Sequence, residues 1–481
     1  MLFNSYTFLW FLPLSLLIYW SANRCHLRWQ NVLLLALSYV FYGWWDVRFL
    51  ALIVGVTAIG YLSALGMETM SSRPKVRHAV GTLGIAASLG ILGAFKYYNF
   101  FVTELTTAFH QLGWSIHLPL WHVLLPVGIS FFTFQTVSYI VDVRRGKLDA
   151  CHDAVAYAAF ISFFPQLVAG PIERATDLLP QMLHRRHLDY GDAVDGCRLI
   201  LWGLFKKMVL ADRCAPFVDM VYADPNASGA DLWTATVLFA FQIYGDFSGY
   251  SDVAIGTARL FGIRLTRNFA LPFFSRNVPE LWRRWHISLM NWFKDYVYIP
   301  LGGSRHGRLK QLRNVCLVFL LSGLWHGADW TFIGWGLFQL IGFLPFILLS
   351  LGKRKRTPIV AEGRCLPSLR ESAEMLTTFL FFCLGWVLFR SESIEAALSR
   401  MCTMCAQNPL SHPFCGWSAF LPPLVVLCIE WGMRQQRHAL DFPASGLMGR
   451  HRALRWTAYY LLILSILYFG GAQVQFIYFQ F

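Results

Sequence analysis

Apolar runs near the length needed to cross a bilayer recur along this chain, and its positive charges collect in the gaps between them. The first five candidates are Tyr6–Trp20, Asn31–Trp45, Phe49–Gly66, Ala79–Phe101 and Leu120–Val141. A helix needs about 20 apolar residues to span the hydrocarbon core. In lipid, every backbone polar group must be satisfied within the protein, so repeated spans of this kind are helices. Only 14% of the 481 residues are charged and 56% are hydrophobic, against about 25% charged in soluble chains. The fold class read from these runs is an all-α polytopic membrane protein. No stretch isolates a soluble domain, so residues 1–481 are read as one membrane domain, a length that ten or more helices would largely use.

The formal net charge is +14. In a soluble protein that excess suggests nucleic acid. Here it sits in Arg24/Arg28, Arg73/Lys75/Arg77, Arg144/Arg145/Lys147 and Lys353–Arg356, which is the pattern of cytoplasmic loops between spans. Nucleic-acid binding is therefore set aside. The opening MLFNSYTFLWFLPLSLLIYW has its basic residues after the apolar run and not before it. That order argues for a retained first span that starts outside, not for a cleaved signal peptide. The gaps then alternate: Ser71–His78 inside, His110–Pro119 outside, Arg144–Asp153 inside.

Three regions are less regular. Ala154–Gly170 ends in FPQLVAGPIER, and its Pro and Gly punctuation predicts a broken or re-entrant helix. The stretch YGDFSGYSDVAIGTARLFGI combines Gly245, Gly249 and Gly256 with Asp246, Asp252 and Arg259. Irregular polar backbone at membrane depth is tolerated only against protein or a water-filled cavity, so this stretch is expected to be a cavity wall. Glu280–Leu301 mixes Trp282, Trp285 and Trp292 with Arg283, Arg284 and Lys294, which reads as an interfacial helix. His184–His187 reads as part of a polar linker.

Candidate chemistry centres on Trp325-His326-Gly327, inside the apolar run LVFLLSGLWHGADWTFIGWG. An ionisable ring there is costly unless it has partners or a task. One reading is a buried structural histidine bonded to a backbone carbonyl. The other is a general base: a neutral imidazole between aromatic walls that takes a proton from an attacking hydroxyl. Gly327 leaves room for a substrate, and Asp329 is placed beside His326 if the backbone is helical. His286, in LWRRWHISL, has the same two readings, although its Arg neighbours point to the membrane surface. Asp246, Ser248 and Asp252 either line a polar tunnel or form ion pairs with Arg259 or Arg264. Two histidines 40 residues apart are not a zinc motif, and no GxSxG, Walker or GxGxxG pattern is present. No metal or resident cofactor is expected. The eleven cysteines are mostly in apolar runs; Cys402, Cys405, His412 and Cys415 form one loop cluster, read as loop residues with no joint role in preference to a zinc site or a disulfide.

At this level of detail the chain resembles the membrane-bound O-acyltransferase superfamily, and within it the bacterial alginate O-acetyltransferase branch. The resemblance rests on MLFNSYTFLWFLPL, SFFPQLVAGPIERATDLLPQ, GLFKKMVLADRCAPFVD, FQIYGDFSGYSDVAIGTARLFGI, NFALPFFSRNVPELWRRWHISLMNWFKDYVYIPLGGSR, FLLSGLWHGADWTFIGWG and the ending FIYFQF. It implies a helical bundle with broken helices around a transmembrane tunnel. His326 matches the catalytic histidine of the superfamily, and His286 the second histidine of this branch. It further implies acyl transfer from a cytoplasmic thioester, with acetyl-CoA as donor and a periplasmic or membrane-anchored acetyltransferase as partner. The acetyl group would end on an exopolysaccharide, and the enzyme would lie in the bacterial inner membrane. Lys206, Lys207, Arg305 and Arg308, chosen by charge, are the candidate contacts for the donor's phosphates; Trp325 and Asp329 join the tunnel candidates. D-alanyl transfer to teichoic acid and acetylation of cellulose or peptidoglycan use nearly the same motifs. A transporter without covalent chemistry is the alternative from another class.

Overall fold

The computed structural model describes residues 1–21, 26–116, 118–121, 125–168, 170–349, 359–408, 411, 413–470, 474, 476 and 477. The basic cluster Lys353–Arg356, His412 and residues 478–481 lie outside the described residues. Two compact units are present. The first comprises Met1–Asp189 with Phe261–Leu265 and Gly327–Asp329; the second holds Tyr190–Leu260, Thr266–His326 and Trp330–Phe481. No strand occurs among the described residues.

The first unit contains α1 (Tyr6–Ser21), α2 (Leu27–Gly43), α3 (Arg48–Thr69), α4 (Pro74–Lys96), α5 (Tyr98–Gln111), α6 (Ile129–Arg144), α7 (Ala154–Ser162), α8 (Phe164–Leu167) and α9 (Ala175–Leu183). The expected span Ala79–Phe101 is divided at Tyr97, and within the expected span Leu120–Val141 the described helix begins at Ile129. The broken helix expected over Ala154–Gly170 is present as α7 and α8, with Asp153 capping α7 through Val155 N and Ala156 N. The linker reading of His184–His187 needs correction at Arg186, which is buried. Its backbone and side chain bond reciprocally with Gln30 and Asn31 of α2, including Nη2 to Asn31 Oδ1 at 2.6 Å. Away from water these amide and guanidinium groups require one another, so they fix how α2 meets the segment after α9.

The second unit contains α10 (Tyr190–Phe205), α11 (Asp212–Ala223), α12 (Gly229–Leu260), α13 (Val278–Arg284), α14 (Ile287–Phe293), α15 (Arg308–His326), α16 (Trp330–Leu348), α17 (Leu369–Arg390), α18 (Ile394–Ala406), α19 (Leu421–Gly432), α20 (Leu447–Arg450) and α21 (Arg452–Phe469). A π-helical turn, Lys206–Ala211, joins α10 to α11. The glycine-rich stretch is not irregular backbone: it is the C-terminal half of one 32-residue helix, α12. Its glycines serve close helix approach. A Cβ on Gly249 would lie 2.6 Å from Gly203 O, and one on Gly256 would lie 2.4 Å from Gly196 O. These pairings run in opposite sequence order, so α10 and α12 are antiparallel. Helices in lipid gain little from hydrophobic segregation and rely on such small-residue contacts. The α15–α16 hairpin repeats the device, with Gly323 against Phe332 O and Gly336 against Phe319 O.

Among the described residues, four helices are long and apolar enough to cross a membrane: α3, α4, α16 and α17, with shorter apolar helices at Tyr6–Ser21 and Trp417–Gly432. α17 is started by a capping box in which Ser368 and Glu371 satisfy each other's backbone N–H groups.

Candidate active site

The two histidines meet on one tryptophan. His326 is the last residue of α15, where Gly323 lets α16 close on the same turn. The Trp325 ring lies 4.9 Å from the His326 ring and 5.6 Å from the His286 ring, centroid to centroid. Trp335 of α16 and Phe389 of α17 complete the surroundings of His326, at 5.0 and 5.2 Å. Phe247 of α12 stands edge-on to His286 at 4.7 Å. Both imidazoles are buried. Each therefore sits in an aromatic setting, where a polar partner acts with little screening.

The segment carrying His286 is not the interfacial helix expected from its Trp and Arg content. It is broken into α13, α14 and a π-helical turn (Lys294–Tyr298), and Trp282, Trp285 and Trp292 are buried. The break falls at His286, whose φ of 46° and ψ of 53° are left-handed. A non-glycine residue held there costs of order 1 kcal/mol, and such strain concentrates at functional positions. The chain is forced into this turn from both sides. Asn277 caps α13 through Glu280 N. Glu280 then holds Arg276 and Arg284 at 3.0 and 2.8 Å, and Arg284 reaches Ala270 O at 3.3 Å. Arg284, which suggested a membrane surface, thus belongs to a mostly buried ion cluster.

Asp246, Ser248 and Asp252 project from α12 toward the π-helical turn. Lys206 Nζ lies 2.8 Å from both Asp252 Oδ2 and Ser248 Oγ. Lys207 Nζ lies 2.7 Å from Asp246 and 2.8 Å from Asp212. Of the expected partners, Arg259 pairs with Asp195. Lys206 and Lys207 are buried and already neutralised by carboxylates, so their charge is committed inside the protein and not offered to a phosphate. Arg305 and Arg308, in contrast, are exposed on the segment that enters α15. Asn314, fully buried, pins that segment through Leu301 O and Gly303 O. Asp329 does not share a helix with His326; it lies in the turn before α16 and clusters with the first unit.

Sequence reasoning missed two buried polar residues and one ion-pair cluster. Glu430 of α19 accepts a hydrogen bond from Tyr244 of α12 at 2.7 Å. Asn268 bonds to His286. Asp195, His438 and Asp441 form the one group among the described residues with metal-like clustering, but Arg259 and Arg437 occupy its carboxylates, making it an ion-pair cluster. Cys402, Cys405 and Cys415 are free thiols.

Residues 144–357, which hold both histidines, match the model of the membrane-bound O-acyltransferase family. The chain is 41% identical over 398 residues to a probable alginate O-acetylase, AlgI, of Pseudomonas aeruginosa, covering 82% of this chain and 73% of that protein. The chain is a membrane-bound O-acyltransferase. It is 35% identical over 441 residues to the peptidoglycan O-acetyltransferase of Helicobacter pylori, covering 85% of this chain and 81% of that protein. A more distant likeness, 27% over 289 residues, joins it to the teichoic acid D-alanyltransferase of Bacillus subtilis, covering 57% and 71% of the two chains. This membrane-bound O-acyltransferase is accordingly a multi-pass membrane enzyme that transfers acyl groups.

Proposed function

We propose that the enzyme O-acetylates an exopolysaccharide such as alginate from the bacterial inner membrane. Acetyl-CoA is the cytoplasmic donor, and a periplasmic or membrane-anchored partner completes delivery to the polymer. The observation that carries the reading is the convergence of His326 and His286 on Trp325, in a chain 41% identical to alginate O-acetylases. His326 takes the proton of the acceptor hydroxyl as its oxygen attacks the thioester carbonyl; the C–S bond breaks and the thiol leaves with a proton. His286 orients the reacting group or relays that proton. The aromatic walls keep water from the thioester and so suppress hydrolysis. Arg305 and Arg308 are the remaining basic candidates for the donor's phosphates.

The test is His326→Ala and His286→Ala in the producing strain, with membrane protein levels matched and polymer acetyl content measured. General acid–base catalysis contributes about 10²–10⁴-fold, so His326→Ala should leave the polymer essentially unacetylated. Normal acetylation by a well-expressed His326→Ala protein overturns the mechanism. Acetyl groups lost from peptidoglycan, with the exopolysaccharide unchanged, would instead reassign the acceptor.

A further inference from the structure

Asn268 is fully buried and lies between Ser251 of α12 and the left-handed turn at His286. Its backbone carbonyl accepts from Ile287 N at 2.9 Å, and its side-chain Oδ1 accepts from Ser288 N at 3.3 Å. α14 has no side-chain cap of its own, so Asn268 caps it from a distant point in the chain. The same Oδ1 lies 2.9 Å from Ser288 Oγ and 3.1 Å from His286 Nδ1, while Nδ2 reaches Ser251 Oγ at 3.2 Å.

These contacts settle the direction of the histidine bond. A backbone N–H can only donate, so the amide atom facing Ser288 N is the oxygen. An amide oxygen can only accept, so His286 Nδ1 must carry a hydrogen. In a neutral imidazole the other nitrogen is then the basic one. We propose that Asn268 is the positioning residue that holds His286 as the Nδ1–H tautomer, making Nε2 the nitrogen that exchanges a proton during acyl transfer. The proposal rests on the reading of His286 as a participant in the reaction. Phe247 edge-on to the ring and Trp325 beside it restrict how far the imidazole can turn. The amide therefore selects the tautomer, and the aromatic rings fix the plane.

The experiment uses the full-length protein in lipid bilayers with ¹⁵N-labelled histidine imidazoles, and a His286→Gln sample to assign the His286 signals. At neutral pH the wild-type ring should show its proton on Nδ1. Asn268→Leu, similar in size but without an acceptor, should give mixed or reversed tautomers. It should also lower kcat for acetyl transfer from acetyl-CoA by about tenfold or more with little change in KM, as a misplaced proton on an acid–base group would. Asn268→Asp keeps an acceptor in place and should restore the Nδ1–H signal and part of the rate, which rescue of a lost cap alone would not predict for the ring spectrum. A wild-type ring protonated on Nε2, or an Asn268→Leu protein with unchanged tautomer and rate, overturns the proposal. If His286→Gln transfers acetyl at the wild-type rate, the catalytic reading of His286 fails instead, and the tautomer spectrum alone then decides what Asn268 does.

Discussion

A buried charge at residue scale is stable only in company, and Lys207 shows the arithmetic. Its amine is shared by Asp212 and Asp246, and it also donates to Val474 O at 3.2 Å. Asp246 in turn accepts from Ile477 N at 2.7 Å. Removing the lysine alone strands two carboxylates in a low-dielectric interior. Breaking a buried pair in this way costs about 3–5 kcal/mol, whereas replacing the whole group by neutral residues of similar size is far cheaper. Lys207→Met should therefore lower the Tm of detergent-purified protein strongly. Adding Asp212→Asn and Asp246→Asn to it should recover most of the loss. A single Lys207→Met variant with wild-type Tm would show that the network is solvated and carries no such cost. The same reasoning explains why charge alone is a poor guide to the contacts of the proposed donor. Lys206 and Lys207 look in sequence like any adjacent basic pair, and only the tertiary placement of Asp246 and Asp252 reveals that both are spent internally.

At the scale of elements, the α10–α12 crossing is where small residues decide the packing. Gly196 and Gly203 on α10 match Gly256 and Gly249 on α12, each pair seven residues apart in sequence. Gly256→Ala places a methyl group against the backbone of Gly196, which cannot rotate away as a side chain could. Overpacking of this kind costs about 1–3 kcal/mol, so Gly256→Ala should lower Tm and activity together. Gly55→Ala on α3, where a Cβ meets nothing within 4 Å, should be neutral or slightly stabilising through better helix propensity. Equal effects at the two positions would refute the crossing as the reason for these glycines. The contrast also marks how far sequence could be read. Glycine serves both irregular backbone and close helix approach; the polar composition of Gly245–Gly256 points to the first, whereas the seven-residue spacing on two separate segments points to the second. The Trp- and Arg-rich run around His286 misled for a related reason. Composition places such residues at an interface, but the Asn277 cap, the Glu280 pairs and the left-handed turn are set by contacts that span the chain. His326 stands out in the sequence because an ionisable residue in an apolar run is informative without any knowledge of its neighbours. Asn268 does not, because its importance lies wholly in what it touches.

For the molecule as a membrane protein, the excess of positive charge acts through its distribution. Lysine and arginine near span ends favour the cytoplasmic side, and the first unit brings two of its basic clusters together. Arg77, at the start of α4, donates to Val143 O at 3.1 Å, and Arg144, at the end of α6, reaches Thr82 Oγ1 at 3.3 Å. The clusters around Arg73–Arg77 and Arg144–Lys147 therefore occupy the same end of this helix group, as alternating spans require. The opposite end includes the segment after α5, where Ser115 is exposed and no lysine or arginine lies between Gln111 and Leu120. Cysteine introduced at Ser72, between α3 and α4, should be shielded from a membrane-impermeant thiol reagent in spheroplasts and should react once the membrane is opened. Cysteine at Ser115 should react in both conditions, with each site read separately by mass spectrometry because native cysteines such as Cys402 and Cys405 are also exposed. Labelling of Ser72→Cys in sealed spheroplasts would invert the unit. It would also place the basic end of this unit on the outer face, opposite to the side of the proposed cytoplasmic donor. The labelling pattern thus tests the orientation of this unit without needing the identity of donor or acceptor.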